Sequence, residues 1–233
     1  MSRWLSALTR VFYPRHCFLC NRIVYPHQRL CPQCVRFLPT ILPPVCERCG
    51  RGVERCHCGG HHRHFERCVS GFYYVDTVKS GMWSLKSHDF SVTVNGFTVE
   101  MAEVVRREYG GIRFDLVTAV PLHRSDLRKR GFDQAARLGQ SLAQRLGLPF
   151  VPCLKKIHET VPQKELKAIH RSGNLLGVFD VTQDVTDRVI LLVDDVVTTG
   201  ATLDECAKML KIYGAAEVYA VTAAAAVLQS DME

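Results

Sequence analysis

Short runs that are almost entirely apolar recur through the chain after residue 68, and they predict buried strands. The clearest are FDLVTAV at 114–120 and VILLV at 189–193, with a short strand predicted for VFDV at 178–181 and weaker patterns at 72–75 and 217–222. Such continuous runs are typical of strands that are covered on both faces, because a strand with one solvated face would alternate apolar and polar residues.

Segments with helical spacing lie between these runs. Apolar residues three or four positions apart predict helices at 94–107, at 134–146 before Gly147, and at 203–212 before Gly214. The alternating order of strands and helices predicts an α/β domain, in which helices cover both faces of a parallel sheet.

The N-terminal segment 1–68 lacks such periodicity, apart from a short helical pattern at 1–14 that we expect to pack on the protein itself. A segment of this kind cannot bury a core of its own and needs a covalent or metal staple. We therefore predict a small Cys-rich domain at 1–68, an α/β domain at 69–228 and a tail at 229–233. No secretory signal is recognised at the N-terminus, and no apolar stretch reaches the length of a membrane span.

The segment 1–68 also differs from the rest of the chain in charge. It contains eleven Arg, no Lys and three Glu, a net charge of +8, whereas the whole chain carries +7. A basic segment suggests a polyanionic partner such as nucleic acid. Two zinc ions with four thiolates each would contribute about −4 in total, so bound metal would halve this excess without abolishing it.

Cysteine spacing predicts two structural zinc sites in this segment. Nine of the eleven cysteines precede residue 69, and in a reducing cytoplasm C-x-x-C pairs favour metal thiolates over disulfides. Each set fills four positions with sulfur and leaves none open for water, which indicates structural zinc. The first set is Cys17, Cys20, Cys31 and Cys34, and the second is Cys46, Cys49, Cys56 and Cys58.

The second set is less regular, because only one residue separates its last two cysteines. Nearby side chains could replace one of these two: His57, His61, His62, His64 and Cys68. Cys153 and Cys206, which fall in apolar surroundings outside the segment 1–68, are predicted to be core thiols.

The apolar run at 189–193 leads into DDVVTTGAT, which combines acids, hydroxyls and a glycine. Asp194 and Asp195 follow the strand at its carboxyl end, where open α/β sheets place ligands. Gly200 lets the backbone turn with its N–H groups facing inward. Thr202 and Glu205 are predicted to form a capping box at the start of the next helix. This arrangement suits a phosphate, and the carboxylates suit sugar hydroxyls or Mg²⁺ bound to them. Neither a Walker loop nor a dinucleotide fingerprint is present.

Residues 190–202, ILLVDDVVTTGAT, resemble the motif of type I phosphoribosyltransferases that binds phosphoribosyl pyrophosphate (PRPP). The resemblance extends along the chain to the ComF family, through the Cys-rich N-terminus, VPLHRSDLRKRGFDQA at 120–135, TVPQKEL at 160–166 and RSGNLLGVF at 171–179. Members of that family are linked to DNA uptake in naturally competent bacteria and to the use of external DNA. The resemblance implies a type I phosphoribosyltransferase-like parallel sheet with flanking helices, preceded by a double zinc ribbon.

The resemblance also implies roles for particular residues, with Mg²⁺ bound alongside PRPP. Asp194 and Asp195 would contact the ribose 2′- and 3′-hydroxyls, and together with Arg130 of the RGF-Q signature they would be catalytic. The 5′-phosphate would be held by Val197, Thr198, Thr199, Gly200, Ala201 and Thr202. The pyrophosphate loop would contain Pro121, Leu122, His123 and Arg124, with Arg128 nearby. Gln163, Arg171 and Asn174 lie where the family has its mobile loop and return strand, and Arg171 would also contact PRPP.

Two departures from the family pattern lie near the diphosphate. Asp133 replaces the usual Asn; it is still a good helix N-cap, but it brings a negative charge. Lys156 and His158 stand where the family commonly has Arg, so the forked geometry is lost and His158 is charged only below about pH 6.5.

Three functions remain open from the sequence. The chain could be a phosphoribosyltransferase with an unknown acceptor. Alternatively, it could be a non-catalytic PRPP-responsive module whose basic ribbons bind single-stranded DNA or a DNA-uptake helicase. Third, it could be a structural adaptor whose zinc ribbons dock a partner and whose PRPP site is vestigial. The location implied is cytoplasmic, with the inner face of the membrane as an alternative. Aromatic residues available for stacking on bases are Phe12, Tyr13, Phe18, Tyr25 and Phe37.

Overall fold

The apolar runs form strands in a computed structural model that describes residues 15–56, 58–59, 62–85, 90–157 and 178–227. A four-stranded sheet in the order β1-β6-β5-β2 is parallel throughout, as predicted, and β3 and β4 form a separate antiparallel pair. The strands are β1 (Arg67–Tyr74), β2 (Leu116–Ala119), β3 (Leu154–Lys156), β4 (Phe179–Val181), β5 (Val189–Val197) and β6 (Glu217–Ala226).

Helices follow the predicted spacing closely. The helix predicted at 134–146 is observed with those bounds; Asp133 caps it by accepting the N–H of Ala136 at 2.9 Å, and Gly147 ends it with a φ of 70°. The helices are α1 (Pro32–Arg36), α2 (Asp76–Ser84), α3 (Phe90–Glu108), α4 (Arg124–Arg130), α5 (Gln134–Leu146) and α6 (Ala201–Ile212). Among the described residues, none of these helices has the length and apolarity needed to cross a bilayer.

Both faces of the sheet are covered, as the apolar strands predict. On one face, buried residues of α3 and α5 pack against alternate strand residues such as Val117, Leu191 and Val221. On the other face, α6 and the β3–β4 pair cover Ile190 and Leu192. Because successive strand residues point to opposite faces, each strand contributes to both cores.

The Cys-rich segment contributes to both cores, with Phe18 in the first and Ile41 and Phe65 in the second. Phe18 is buried, and its ring centroid lies 5.2 Å from that of Phe97 in α3. Gly96 makes this approach possible, since a Cβ there would lie 2.2 Å from the Phe18 ring. The apolar side chains of the Cys-rich segment are therefore buried by packing against the α/β domain. The division at 1–68, 69–228 and 229–233 stays a prediction, and β1 crosses its first boundary.

Two local predictions were wrong. Strand β5 does not end at Val193 but continues to Val197, because β6 extends equally far and keeps pairing with it. The acidic pair therefore lies inside the strand. The capping box also does not form: α6 begins after Gly200, whose φ is 78° and which has no side chain to accept a hydrogen bond at the N-cap position. Thr202 is already inside the helix, and the buried Oε1 of Glu205 has no hydrogen-bond partner within the part of the chain that the structure describes.

Several predicted features lie outside the described residues. They are the helix at 1–14 with Phe12 and Tyr13, the tail at 229–233, His57, His61, His158, Gln163, Arg171 and Asn174.

Candidate functional site

The turn between β5 and α6, together with the first two residues of α6, is called the phosphate loop (residues 198–202) and lies at the carboxyl edge of the sheet. Thr198 and Thr199 are exposed, whereas Gly200 is buried. The Thr199 hydroxyl accepts the N–H of Ala201 at 3.3 Å. A small cavity at this edge is lined by Asp194, Val196, Val197, Thr198, Gly200, Ala201, Thr202 and Leu203. The loop residues named from the sequence are thus together, although the Val197 side chain is buried and can contribute only its backbone.

Two arginines from the Cys-rich segment hold the outer side of the phosphate loop. Arg51 is only 3% exposed; its Nη2 donates to the carbonyl of Thr198 at 2.7 Å, and its Nε to that of Ala226 at 2.7 Å. Arg63 donates through Nη2 to the carbonyl of Thr199 at 2.8 Å. Both loop carbonyls therefore point toward the Cys-rich segment.

The opposite side of the loop presents backbone N–H groups. The only cis peptide among the described residues joins Pro43 and Pro44, so the peptides after Thr198 and Thr199 are trans. In a trans peptide the N–H points away from the preceding C=O. The N–H groups of Thr199 and Gly200 therefore point away from the two arginines, and neither donates to an acceptor in the described part of the chain. Such adjacent N–H groups are a common anion-binding arrangement.

The acidic pair lies on β5 immediately before the loop. Oδ1 of Asp194 accepts the N–H of Asp195 at 2.8 Å, and Oδ1 of Asp195 accepts that of Val196 at 2.7 Å. Burial, and then the like charge of Asp195, raise the pKa of the Asp194 carboxyl well above its usual range. Asp194 lines the small cavity, whereas Asp195 is not among its described lining residues. Asp194 is therefore the better placed of the two to meet a ligand there.

A second opening lies beside the segment that follows β2. This cleft of about 420 Å³ is lined by Pro121, Leu122, His123, Arg124, Leu154, Lys155, Lys156 and Ile157. The pyrophosphate loop inferred from the sequence is thus brought next to Lys156, one of the two departures from the family. Lys155 forms an ion pair with Asp180 at 3.0 Å.

The other predicted residues of this cleft are placed as follows. His123 caps α4 by accepting the N–H of Ser125 through Nδ1 at 3.3 Å. Arg124 and Arg128 are exposed on the same helix. Arg130 ends α4, and its side chain lies outside the described atoms.

The cysteines predicted as zinc ligands form two compact groups. In each set all four sulfur atoms lie within 4.8 Å of one another. The sulfur atoms of Cys20 and Cys31 are 3.6 Å apart in the first set, and those of Cys56 are 3.2 and 3.7 Å from Cys46 and Cys49 in the second. A tetrahedron with Zn–S bonds of about 2.3 Å has sulfur–sulfur edges of about 3.8 Å, so both groups fit this ion.

Among the described residues, Cys56 and Cys58 complete the second group of sulfur atoms, whereas His57 and His61, two of the alternatives left open by the sequence, lie outside that part of the chain. Cys68 is fully buried in β1, and His64 contacts Asp204. Cys153 and Cys206 are fully buried, as predicted for core thiols.

One thiol in each set is already disposed to ionise. Although burial opposes it, the N–H of Cys34 and neighbouring thiols lower the pKa of Cys31 to about 7. In the second set, burial raises the pKa of Cys46, but hydrogen bonds from the Cys56 thiol and from the N–H groups of Arg48 and Cys49 lower it more. The net result is a pKa of about 7. Thiolates are the form that binds metal, so these contacts favour metal binding.

Three residues at the phosphate loop were missed by the sequence argument: Arg51, Arg63 and Asp204. Asp204, in the first turn of α6, accepts the N–H of His64 at 2.7 Å and lies 3.7 Å from Nη1 of Arg63. No motif indicates these contacts, because the partners are more than 130 positions apart. The one available signal was the excess of Arg in the segment 1–68.

Comparison with known proteins agrees with this architecture. Residues 133–230 match the phosphoribosyl transferase domain family, and residues 8–69 match the double zinc ribbon domain family. DNA utilization protein YhgH of Salmonella typhimurium is 31% identical over 206 residues, which cover 87% of this chain and 86% of that protein. Competence protein F of Haemophilus influenzae is 26% identical over 208 residues, which cover 81% of this chain and 87% of that protein.

Among solved structures, adenine phosphoribosyltransferase from Saccharomyces cerevisiae aligns at 17% identity with a TM-score of 0.36, over 57% of this chain and 74% of that chain. This likeness is too distant to bear on function. The two family matches and the near full-length similarity to the Salmonella protein show that the chain belongs to the ComF family, in which a double zinc ribbon precedes a phosphoribosyltransferase domain.

Proposed function

We propose that this protein binds PRPP with Mg²⁺ and acts as a phosphoribosyltransferase in DNA uptake or utilisation. The phosphate loop would hold the 5′-phosphate, Asp194 and Asp195 would face the ribose hydroxyls, and the cleft beside residues 121–124 would take the diphosphate. The names of the Salmonella and Haemophilus relatives, a DNA utilization protein and a competence protein, support the role in DNA use.

One observation carries the proposal. The N–H groups of Thr199 and Gly200 share one side of a turn, and Gly200 lines the same small cavity as Asp194. The loop N–H groups can donate hydrogen bonds to a phosphate, and the Asp194 side chain can accept hydrogen bonds from sugar hydroxyls. A sugar phosphate carries both of these groups. The raised pKa of Asp194 adds support, because perturbed carboxylates concentrate at functional sites.

The contribution of the protein to a transfer reaction would be positioning and charge stabilisation. The bond between C1 of the ribose and the pyrophosphate oxygen would break as a bond from C1 to the acceptor forms. The loop fixes the phosphate end of the sugar, and the Asp194 carboxylate can orient its hydroxyls. Arg124 and Lys156 line the cleft where negative charge would develop on the leaving group. Bound Mg²⁺ would neutralise further charge there, and carboxylates are suitable oxygen ligands for it.

Calorimetric titration with parts of the donor tests the assignment of the two ends. With Mg²⁺ present, PRPP and ribose 5-phosphate should bind and ribose should not, because the phosphate loop recognises the 5′-phosphate. Equal affinity for ribose and ribose 5-phosphate would contradict the assignment. Release of pyrophosphate should then be assayed with nucleobases, nucleosides and nucleic acid as acceptors; no release with any of them would favour the non-catalytic alternative.

A second candidate function, binding of single-stranded DNA, is supported by two exposed aromatic side chains in the basic Cys-rich segment. Tyr25 is 77% exposed and Phe37 is 62% exposed, and the guanidinium of Arg36 lies 5.5 Å from the Phe37 ring centre. Phe18, also considered from the sequence, is buried and unavailable for stacking. Exposed rings next to arginines are typical of surfaces that stack on bases and neutralise phosphates. A helicase partner stays a prediction from the resemblance.

Fluorescence anisotropy with a labelled single strand tests this candidate. Binding should weaken linearly in log K against log salt concentration, and Tyr25→Ala with Phe37→Ala should weaken it about tenfold or more. Val35→Ala, at another exposed apolar residue of this segment, is the matched control. Affinity that ignores salt, or that both aromatic replacements leave unchanged, would rule this surface out.

A further inference from the structure

Arg51 belongs by its backbone to the second cysteine set. It follows Cys49 by two positions, and its carbonyl accepts the N–H of Cys46 at 2.7 Å. Its buried guanidinium then reaches the carbonyls of Thr198 and Ala226, each at 2.7 Å. These carbonyls lie at or just beyond the carboxyl ends of β5 and β6. A buried guanidinium is tolerated only when its N–H groups are paired, so Arg51 ties the cysteine set to this edge of the sheet.

Arg63 makes the second connection from the same region. It follows Cys58 by five positions and donates to the Thr199 carbonyl at 2.8 Å. The neighbouring His64 donates its backbone N–H to Asp204 at 2.7 Å. The start of α6 and the middle of the phosphate loop are thus held together from one short segment.

The direction of the loop N–H groups depends on these two contacts. Because the peptides are trans, fixing the carbonyls of Thr198 and Thr199 on one side fixes the N–H groups of Thr199 and Gly200 on the other. If either carbonyl were released, its peptide plane could rotate and turn the N–H away from a bound phosphate. Gly200, with a φ of 78°, leaves this part of the backbone especially free to do so.

We infer that Arg51 and Arg63 are positioning residues of the phosphate loop, and that zinc in the second cysteine set is thereby coupled to binding of a sugar phosphate. The zinc-loaded set fixes the backbone that carries Arg51 and, through Cys58, the segment leading to Arg63. By reciprocity, a sugar phosphate on the loop strengthens zinc binding in the second set by the same factor that zinc strengthens sugar-phosphate binding. The first cysteine set packs on α3 and takes no part in this coupling. This inference rests on the proposed function for its ligand.

The positioning part can be tested without any ligand. Amide ¹⁵N order parameters of Thr199 and Gly200 should be near 0.85 in the wild type and fall below about 0.6 in Arg51→Lys and Arg63→Gln. Arg48→Gln, at an exposed residue within the second cysteine set, removes the same charge as Arg63→Gln and should leave the order parameters unchanged. If replacement of the buried Arg51 unfolds the protein, Arg63→Gln alone tests the inference. Unchanged order parameters in the folded Arg63→Gln protein would overturn the inference.

The coupling is tested by equilibrium competition for zinc with a chelator of known affinity, with and without PRPP and Mg²⁺. The ligand should raise the zinc affinity of the second set about tenfold, and Arg63→Gln should lose most of that effect and about tenfold in PRPP affinity. The first set, isolated by Cys46→Ser with Cys49→Ser, should show no change. PRPP that binds the wild type without altering either zinc affinity would overturn the coupling. If PRPP does not bind the wild type at all, the proposed function and the coupling both fail, and the ligand-free order parameters alone decide whether the arginines position the loop.

Discussion

Asp133 accepts the backbone N–H of Leu122 through Oδ2 at 2.9 Å, while its other oxygen caps α5 by accepting the N–H of Ala136. One side chain thus fastens the segment after β2 to the start of a helix. The negative charge of Asp133 also contributes to raising the pKa of Asp194, so Asp133 acts electrostatically on the acidic pair. The residue that departs from the family pattern therefore contacts the predicted pyrophosphate loop and also acts electrostatically on the acidic pair.

Replacing Asp133 by Asn should strengthen PRPP binding. The change removes a negative charge near the diphosphate cleft and frees the Leu122 N–H for an anion, so we expect affinity to rise about two- to fivefold. Asn still caps a helix well, and the loss of one hydrogen bond should lower the free energy of unfolding by only about 1 kcal/mol. Calorimetry and thermal melting measure the two effects. Weaker binding by a folded Asp133→Asn protein would show that Asp133 supports the cleft rather than opposing the diphosphate.

Gly200→Ala should separate loop geometry from stability. Gly200 and Gly147 both have left-handed backbones, with φ of 78° and 70°, and a Cβ at either position meets nothing closer than 3.8 Å. Each alanine should therefore cost a similar strain of about 1–2 kcal/mol. Only Gly200→Ala should weaken PRPP binding, since Gly147 ends α5 away from the loop. Equal PRPP affinities for the two variants in titrations would contradict a role for the loop backbone.

Metal analysis should find two zinc ions per chain. Cys58→Ser should remove one, because its sulfur lies 3.7 Å from that of Cys46 and 3.3 Å from that of Cys56. Cys68→Ala should keep both, since the buried Cys68 sulfur is not among the four of the second set that lie within 4.8 Å of one another, although its backbone N–H donates to the Glu47 carbonyl in that set at 2.7 Å. Zinc affinity should fall as the pH is lowered, because thiols must lose protons to bind the metal. Retention of two tightly bound ions in Cys58→Ser would point to a nearby histidine as the fourth ligand.

Thermal stability of the ligand-free protein should reveal the raised pKa of Asp194. The folded protein keeps a proton on this carboxyl that the unfolded chain loses at about pH 3.9, so this group lowers the free energy of unfolding as the pH rises toward the folded pKa. Asp194→Asn cannot ionise and should melt at a higher temperature than the wild type at pH 8, with a smaller difference at pH 5. Asp76→Asn, at a fully exposed side chain, is the control. Melting curves of Asp194→Asn that run parallel to the wild type across this range would contradict the assignment.

The sheet and its covering helices could be predicted because their signals are local. The strand at 189–193 is apolar throughout, and α5 carries both an acidic cap at Asp133 and a terminal glycine at Gly147. The two cysteine sets could also be predicted, because the spacing of the cysteines along the chain indicates metal ligands. The length of β5 could not be predicted from the sequence, because it depends on the pairing of Asp194 and Val196 with Thr222 and Ala224 of β6.

The outer support of the phosphate loop could not be predicted from the sequence. Arg51 and Thr198 are 147 positions apart and Arg63 and Thr199 are 136 apart, and an arginine that binds a carbonyl carries no motif. The capping box failed for a related reason: Thr202 and Glu205 have the right spacing, but the left-handed Gly200 starts the helix before Thr202. Tertiary contacts and backbone conformation decided both cases.

Calorimetric titration of PRPP with Mg²⁺ tests the central claim most directly, on the wild type and on the Asp194→Asn, Asp195→Asn double variant. Because the first of these changes is expected to raise stability, lost binding would not reflect unfolding. We predict saturable binding by the wild type well below millimolar concentration and a loss of about a hundredfold in the double variant, since both acidic side chains that would contact the ribose hydroxyls or Mg²⁺ are replaced. A wild type that shows no binding, or binds only at millimolar concentration or above, would contradict the claim that this edge of the sheet is a PRPP site.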